Sequence, residues 1–368
     1  MANTSGRWLI YGANGYTGSR IARAARSRGL TPVLGGRNAA AIGAIAAELG
    51  LSSCIFDLAD AAATRAALRD VDVVAHCAGP FSATSAPMAN ACVATRTHYV
   101  DITGEIEVLE ALASRDDEAR AAGVALCPSM AFDIIPTDCL AATLKESLPD
   151  ATHLVLGFTG LDDLSAGTLN TALEGVGRGM SRVRENGRLV EIPYFSRRRR
   201  LDFGDGRGEV EAFNIPWADV AAAYYSTGIP NVEVYIPASA AMARSVRMMR
   251  PLRPLLRIPA VVRVLQRVVS ATQKGPPESA YENEVSHLVG IARNGRGEER
   301  RAQFSCPNGY RLSVDGVLMA VTHLLSHPES SGFKTPSMLM GPRCVEQLPD
   351  VTPIVVERVG GWQPFAQG

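Results

Sequence analysis

The chain has 368 residues, 46% of them hydrophobic, which is enough for more than one ordinary core. Lys plus Arg and Asp plus Glu number 37 each, so no net field draws the chain to nucleic acid, and no low-complexity tract points to disorder. The seven cysteines are scattered with no C-x-x-C pair, Met1–Gly6 has no signal-peptide pattern and no apolar run is of bilayer length, so the expectation is a cytoplasmic protein with reduced, buried thiols.

From residue 7 to about 130, short apolar runs alternate with helical segments, the pattern of a parallel sheet. Strands are predicted at Trp8–Tyr11, Thr31–Leu34, Cys54–Phe56, Val71–Cys77, His98–Ile102 and Val124–Cys127. Between them helices are predicted over Ser19–Arg28, Ala39–Leu49, Ala61–Leu68, Pro87–Thr95 and, as one long element, Glu105–Ala122. Six such strands with right-handed crossovers make a doubly wound α/β sheet of Rossmann type.

The first strand runs straight into Gly12-Ala13-Asn14-Gly15-Tyr16-Thr17-Gly18, and a helix follows. A helix N-terminus offers bare N–H groups and the positive end of its dipole, so a pyrophosphate sits there when no side chain blocks the approach. Gly12 turns the chain, Gly15 admits the phosphate and Gly18 lets the helix lie on the sheet. Cofactor type is read at the end of the second strand, where NAD enzymes place an acid and NADP enzymes an arginine. Here stand Gly35-Gly36-Arg37-Asn38, with no acid, so NADP(H) is the expected cofactor. Asp57 either borders the adenine or caps the helix after it. The loop Ala78-Gly79-Pro80 is small enough to let a cofactor close, and Phe81 is placed to wall the nicotinamide on the substrate side.

Beyond Pro149 the pattern changes. A helix is predicted at Thr137–Ser147, strands at His153–Thr159, Leu189–Phe195, Val210–Ile215 and Val232–Ile236, and a helix over Gly167–Asn186. The strongest hairpin joins Glu284–Arg293 to Arg301–Cys306 through Asn294-Gly295, and Asp315–Leu325 is helical. The expected division is 1–133 for nucleotide binding, 134–313 for an α+β substrate and dimerisation domain on an antiparallel sheet, and 314–368 returning to the first domain. A homodimer is the expected assembly.

A reductase needs a hydride donor and a proton source. Tyr99 and Asp133 are the catalytic candidates, with Asp101, Ser129 and Thr168 added to Phe81 on the substrate side; Glu105 stands with Tyr99, Asp101 and Asp133 at or just beyond strand ends. The commoner alternatives are that Asp133 caps the helix that follows it and that Tyr99 is a packed sheet residue. No tyrosine has a lysine four residues on, and position 103 after Tyr99 is Thr, which excludes the short-chain dehydrogenase mechanism. His323 and His327 have a metal-ligand spacing, but no acid accompanies them and Pro328 follows, so no metal is expected. The stretch 234–277 lacks acids and interleaves Arg244, Arg247, Arg250, Arg253, Arg257, Arg263, Arg267 and Lys274 with apolar residues. It reads either as a solvated helix pair or as a segment, 244–274, that rests on anionic lipid or admits an acyl chain.

Gly12–Gly18, Gly36-Arg37, Ala78-Gly79-Pro80-Phe81 and the runs Tyr99–Glu105 and Phe132–Asp138 together resemble the saccharopine dehydrogenase-like superfamily. The chain is most similar to its trans-acting enoyl reductase branch, in which Ser165-Ala166-Gly167-Thr168 and Lys334-Thr335-Pro336 through Gly341 also find likenesses. The resemblance implies an NADP-dependent reductase with an inserted substrate domain, acting on a small lipidic or carrier-bound molecule with an activated C=C bond. Two other readings stay open: a saccharopine-type C=N reductase holding substrate carboxylates through Arg178, Arg182 and Arg184, and a silent NADP-bound scaffold or lipid-associated protein.

Overall fold

The computed structural model describes residues 6–160, 180–193, 195–239 and 277–359, together with Val261, Val264, Leu265 and Val268. Thr168, Arg178 and nearly all of 244–274 lie outside the described residues.

The buried run β1 (Trp8–Tyr11) leads into α1 (Tyr16–Ser27), and β2 (Val33–Gly36) into α2 (Ala39–Leu49), which Asn38 caps. β3 (Ser53–Ile55), α3 (Ala61–Leu68), β4 (Val73–His76), α4 (Phe81–Thr95) and β5 (His98–Asp101) continue the alternation. The expected long helix is two, α5 (Ile106–Ala113) and α6 (Asp116–Ala122). Asp116, Asp117 and Glu118 explain the break, because three acids favour the positive end of a new helix over the middle of an old one. α4 starts six residues before the expected Pro87, for a reason given below. β6 (Ala125–Cys127) closes the series, and α7 (Ile135–Ser147) carries the chain into the second domain.

The first sheet is wholly parallel in its described pairings, and a late two-residue strand, β15 (Gly332–Phe333), adds a seventh member beside β6. Its order is β15-β6-β5-β4-β1-β2-β3. The order reverses at β1 and β4, which opens the crevice where such sheets bind ligands.

The second sheet comprises β7 (Ala151–Phe158), β8 (Met180–Glu185), β9 (Arg188–Pro193), β10 (Arg198–Asp202), β11 (Glu209–Asn214), β12 (Asn231–Pro237), β13 (Val285–Asn294), β14 (Glu299–Pro307) and β16 (Val355–Val359). It is mixed rather than wholly antiparallel, because β12 runs parallel to β7. Residues 180–185, expected as the end of a helix, form β8 instead. Asn186 and Gly187 both have positive φ and turn the chain so that Glu185 faces Arg188 in a hairpin. β10 and β16 were not expected at all. α7 lies against β13, where Gly290 leaves room for Leu140 and Leu144. α8 (Asp219–Thr227) packs on α7 and α5, and α9 (Glu278–Asn283) on α10 (Gly309–Ser326). α10 crosses back to pack on α1, β4 and β5, and α11 (Pro336–Met340) follows β15. The second domain is thereby packed against the first.

Candidate active site at the carboxyl ends of the first sheet

The glycine loop has the form a phosphate requires. Gly12 has φ +84°, and a Cβ there would meet the backbone of Ala78 at 2.9 Å. At Gly18 a Cβ would strike the Gly12 carbonyl, so α1 could not lie this close to the sheet with any side chain there. Gly15 is the N-cap of α1 and brings no capping side chain to its first turn, the kind of helix start that suits an anion. Asn14 is exposed and Thr17 partly buried, while Tyr16 packs edge-on against Tyr310 with Arg20 over its ring. Arg37 is exposed, and no described acid pairs with it. Asp57 is also exposed; its Oδ1 accepts from the Ala59 amide at 3.0 Å, whereas the cap of α3 is Asp60.

The loop after β4 brings Ala78, Gly79 and Pro80 beside the glycine loop. Phe81 turns inward instead of walling an open crevice: it is 8% exposed and meets the His76 ring edge-on. Its amide and that of Ser82 donate to the Glu105 carboxylate at 3.0 and 2.8 Å. Glu105 therefore satisfies the first turn of α4, which is why that helix begins at Phe81. Under the loop, Thr84 Oγ1 lies 2.6 Å from the Ala78 carbonyl and 3.0 Å from His76 Nε2. With the hydroxyl donating to the carbonyl, His76 must carry its proton on Nε2, and burial holds the ring neutral down to about 3.

A buried polar layer lies beneath the ends of β5 and β6. Tyr99 has no exposed surface, and its hydroxyl donates to Asp101 Oδ2 at 2.5 Å and accepts from Ser85 at 3.0 Å. Burial first, then the Asp101 charge, pushes the phenol well above its usual range. Tyr99 is placed to position Asp101 and has no route to a substrate in this arrangement. Asp101 is itself fully buried. Its Oδ1 accepts from the amides of Ser129 and Thr103 at 2.8 and 3.0 Å, and burial raises its carboxyl to about 6 against those bonds. Asp101 thus ties the loops after β5 and β6 together, and Ser129 is pinned there with φ +61°. Neither Asp101 nor Ser129 faces open space, contrary to their expected place on the substrate side.

Asp133 is different. It stands between β6 and α7, partly exposed, with no hydrogen bond to any described residue; no side chain caps α7, so the capping role falls away. Gly104, from the loop after β5, lies so close that a Cβ would sit 2.7 Å from Asp133 Oδ2. Burial alone pushes this carboxyl up to about 7. At neutral pH it holds a proton for much of the time. His323 and His327 stack at 4.2 Å, and His327 Nδ1 lies 2.9 Å from the His323 carbonyl, an arrangement that ends α10. Among the described residues, no three His, Cys, Asp or Glu side chains are grouped to hold a metal, and no helix is long and apolar enough to cross a membrane.

Fold and site together define a two-domain dinucleotide-binding protein with a protonatable carboxyl between β6 and α7. Residues 8–127 match the saccharopine dehydrogenase NADP binding domain family, which makes NADP(H) the cofactor. The chain is 27% identical over 184 residues to a human saccharopine dehydrogenase-like oxidoreductase, a match covering 47% of this chain and 42% of that protein. It is 28% identical over 201 residues to a trans-acting enoyl reductase of Mycobacterium bovis (strain BCG / Pasteur 1173P2), covering 50% and 48%. These matches span less than half the length of either relative. Apo saccharopine dehydrogenase (L-Glu forming) from Saccharomyces cerevisiae superposes with a TM-score of 0.65 over 97% of this chain and 100% of that one. At 12% identity that likeness is one of fold.

Proposed function

We propose that the protein is an NADP(H)-dependent oxidoreductase that reduces an activated C=C bond of an acyl or polyketide-derived substrate, with Asp133 as proton donor. The observation that carries the reading is the unpartnered, protonatable Asp133 carboxyl at the carboxyl end of β6, in the sheet whose first strand leads into the NADP-binding glycine loop. Bound NADPH supplies a hydride. The chain's own residues supply the rest: the glycine-rich start of α1 and Arg37 would hold the phosphates, and the Asp101 layer fixes the loops after β5 and β6. Once hydride has reached the β-carbon, the α-carbon takes the proton of Asp133, whose O–H bond breaks as the C–H bond forms. The likeness to a trans-acting enoyl reductase supports the C=C assignment. A C=N reductase for amino-acid substrates would need free cations, and Arg182 pairs with Glu107 and Glu191 while Arg184 pairs with Glu110.

The test is a panel of enoyl thioesters and imino acids with NADPH, followed by absorbance of the reduced cofactor. Asp133→Asn is expected to lower kcat by about 10²- to 10⁴-fold with NADPH binding unchanged. Because the folded carboxyl is raised, turnover holds below pH 7 and falls as pH rises through about 7. Undiminished turnover by Asp133→Asn removes the donor assignment; turnover on imino acids alone transfers the activity to C=N bonds. Binding without turnover across the panel favours the scaffold reading. The proposal includes a cytoplasmic homodimer whose segment 244–274 touches an anionic lipid or acyl surface. Sedimentation velocity and co-sedimentation with anionic vesicles test those two parts.

A further inference from the structure

Two of the routes by which the chain crosses between its domains lie against each other. α7 carries it from β6 of the first sheet to β7 of the second. Residues 334–354 make the same passage from β15 to β16, through α11 and the 3₁₀ turn Cys344–Gln347. Side chains of α7 join the two routes. Asp138 Oδ2 accepts from the Ser337 amide at 2.7 Å, and the Thr143 hydroxyl donates to the Pro342 carbonyl at 3.3 Å. Between these contacts Cys139 Sγ lies 3.4 Å from Cys344 Sγ, and Cys344 Sγ lies 3.8 Å from the Pro336 carbonyl. With the Cys344 thiol donating to that carbonyl, the Cys139 thiol donates to the Cys344 sulfur. Both side chains are buried. A disulfide is about 2.05 Å long, so the two sulfurs have roughly 1.4 Å to close. The hydrogen bonds from Asp138 and Thr143 hold the two backbones on either side of the pair and keep the sulfurs opposed.

We propose that Cys139 and Cys344 form an oxidation site, which a peroxide closes into a disulfide that staples the two crossings together. The proposal does not depend on the role of Asp133. One sulfur attacks a peroxide oxygen; the O–O bond breaks, and a sulfenic acid and one water form. The second sulfur attacks the first, the S–O bond breaks as the S–S bond forms, and the second water leaves with the remaining proton. Two thiols are thereby oxidised by two electrons and one peroxide is reduced. Burial, and then the neighbouring Cys344 thiol, push the Cys139 thiol well above its usual range, so the first step is slow. The second is fast, because the partner already stands in contact. The cross-link joins residues 205 apart in sequence, so it restricts the unfolded chain and fixes α7 to the segment that enters β16.

The test treats the folded, full-length protein with hydrogen peroxide at a dose that modifies the partly exposed Cys54 and Cys77, then alkylates free thiols and digests with trypsin. Mass spectrometry is expected to find the peptide 121–145 linked to 344–358, with fragmentation placing the bond at Cys139 and not at Cys127. The oxidised protein should melt higher than the reduced one by roughly 5 °C, and dithiothreitol should remove both the link and the rise. Cys139→Ala and Cys344→Ala are each expected to lose the link and the rise, and either variant serves if the other folds poorly. Two thiols that are merely packed together would give both peptides singly alkylated while Cys54 and Cys77 are modified, and that outcome overturns the proposal. So does a link through Cys127, oxidation of one sulfur to a sulfinic acid without a link, or a melting rise that persists in the alanine variants.

Discussion

Arg37 is the residue on which cofactor preference turns. It is exposed, unpaired with any described acid, and one residue past β2, where the adenosine ribose of a bound dinucleotide passes. A guanidinium there gains charge-assisted hydrogen bonds from a 2′-phosphate and little from a hydroxyl. Arg37→Ala is expected to weaken NADPH by about 10- to 100-fold, the equivalent of ~1.5–3 kcal/mol, and NADH far less. Fluorescence titration with both cofactors checks this, and equal losses would place the 2′-phosphate elsewhere. Tyr99 shows the opposite relation between type and role. Its chemistry suits a proton donor, but complete burial and the bond to Asp101 make it a support. The strand position of Tyr99 made a packed residue the commoner expectation, but its bond to Asp101 depends on how the strand ends are covered and was not legible.

Helix starts depend on whether the cap is local. Asn38 and Asp60 cap α2 and α3 from the adjacent residue, and those helices begin where the sequence places them. α4 begins at Phe81 because Glu105, 24 residues away, accepts from its first amides. Glu105→Gln removes the charge and halves the acceptor oxygens facing that turn. It should cost about 1 kcal/mol of stability, read as a lower midpoint in denaturant. An unchanged midpoint would mean that water serves the turn equally well. The hairpin at Asn186-Gly187 was open to reading, since Asn-Gly is a strong turn signal; the helical reading of the glycine-spaced stretch before it overran that signal.

The two domains are joined by a buried ion pair as well as by α7 and α10. Arg184 of β8 is 4% exposed, pairs with Glu110 of α5, lies over the Tyr224 ring and donates to the Val220 and Gly187 carbonyls. Removing one partner of a buried pair costs about 3–5 kcal/mol. Glu110 keeps 30% of its surface in water, so Arg184→Ala is expected near the low end, seen as a lower Tm with NADPH affinity retained. Loss of NADPH binding instead would show that the interface also shapes the cofactor crevice. Sequence alone determined the first sheet, the glycine loop and the NADP preference, because each rests on residues close in the chain: a strand, a turn and a helix start. Tertiary structure alone decided which carboxyl keeps some exposure, Asp133, and which is fully buried, Asp101. Asp133 stands in the turn before α7, and burial without a countercharge, which no local pattern encodes, sets the proton it holds.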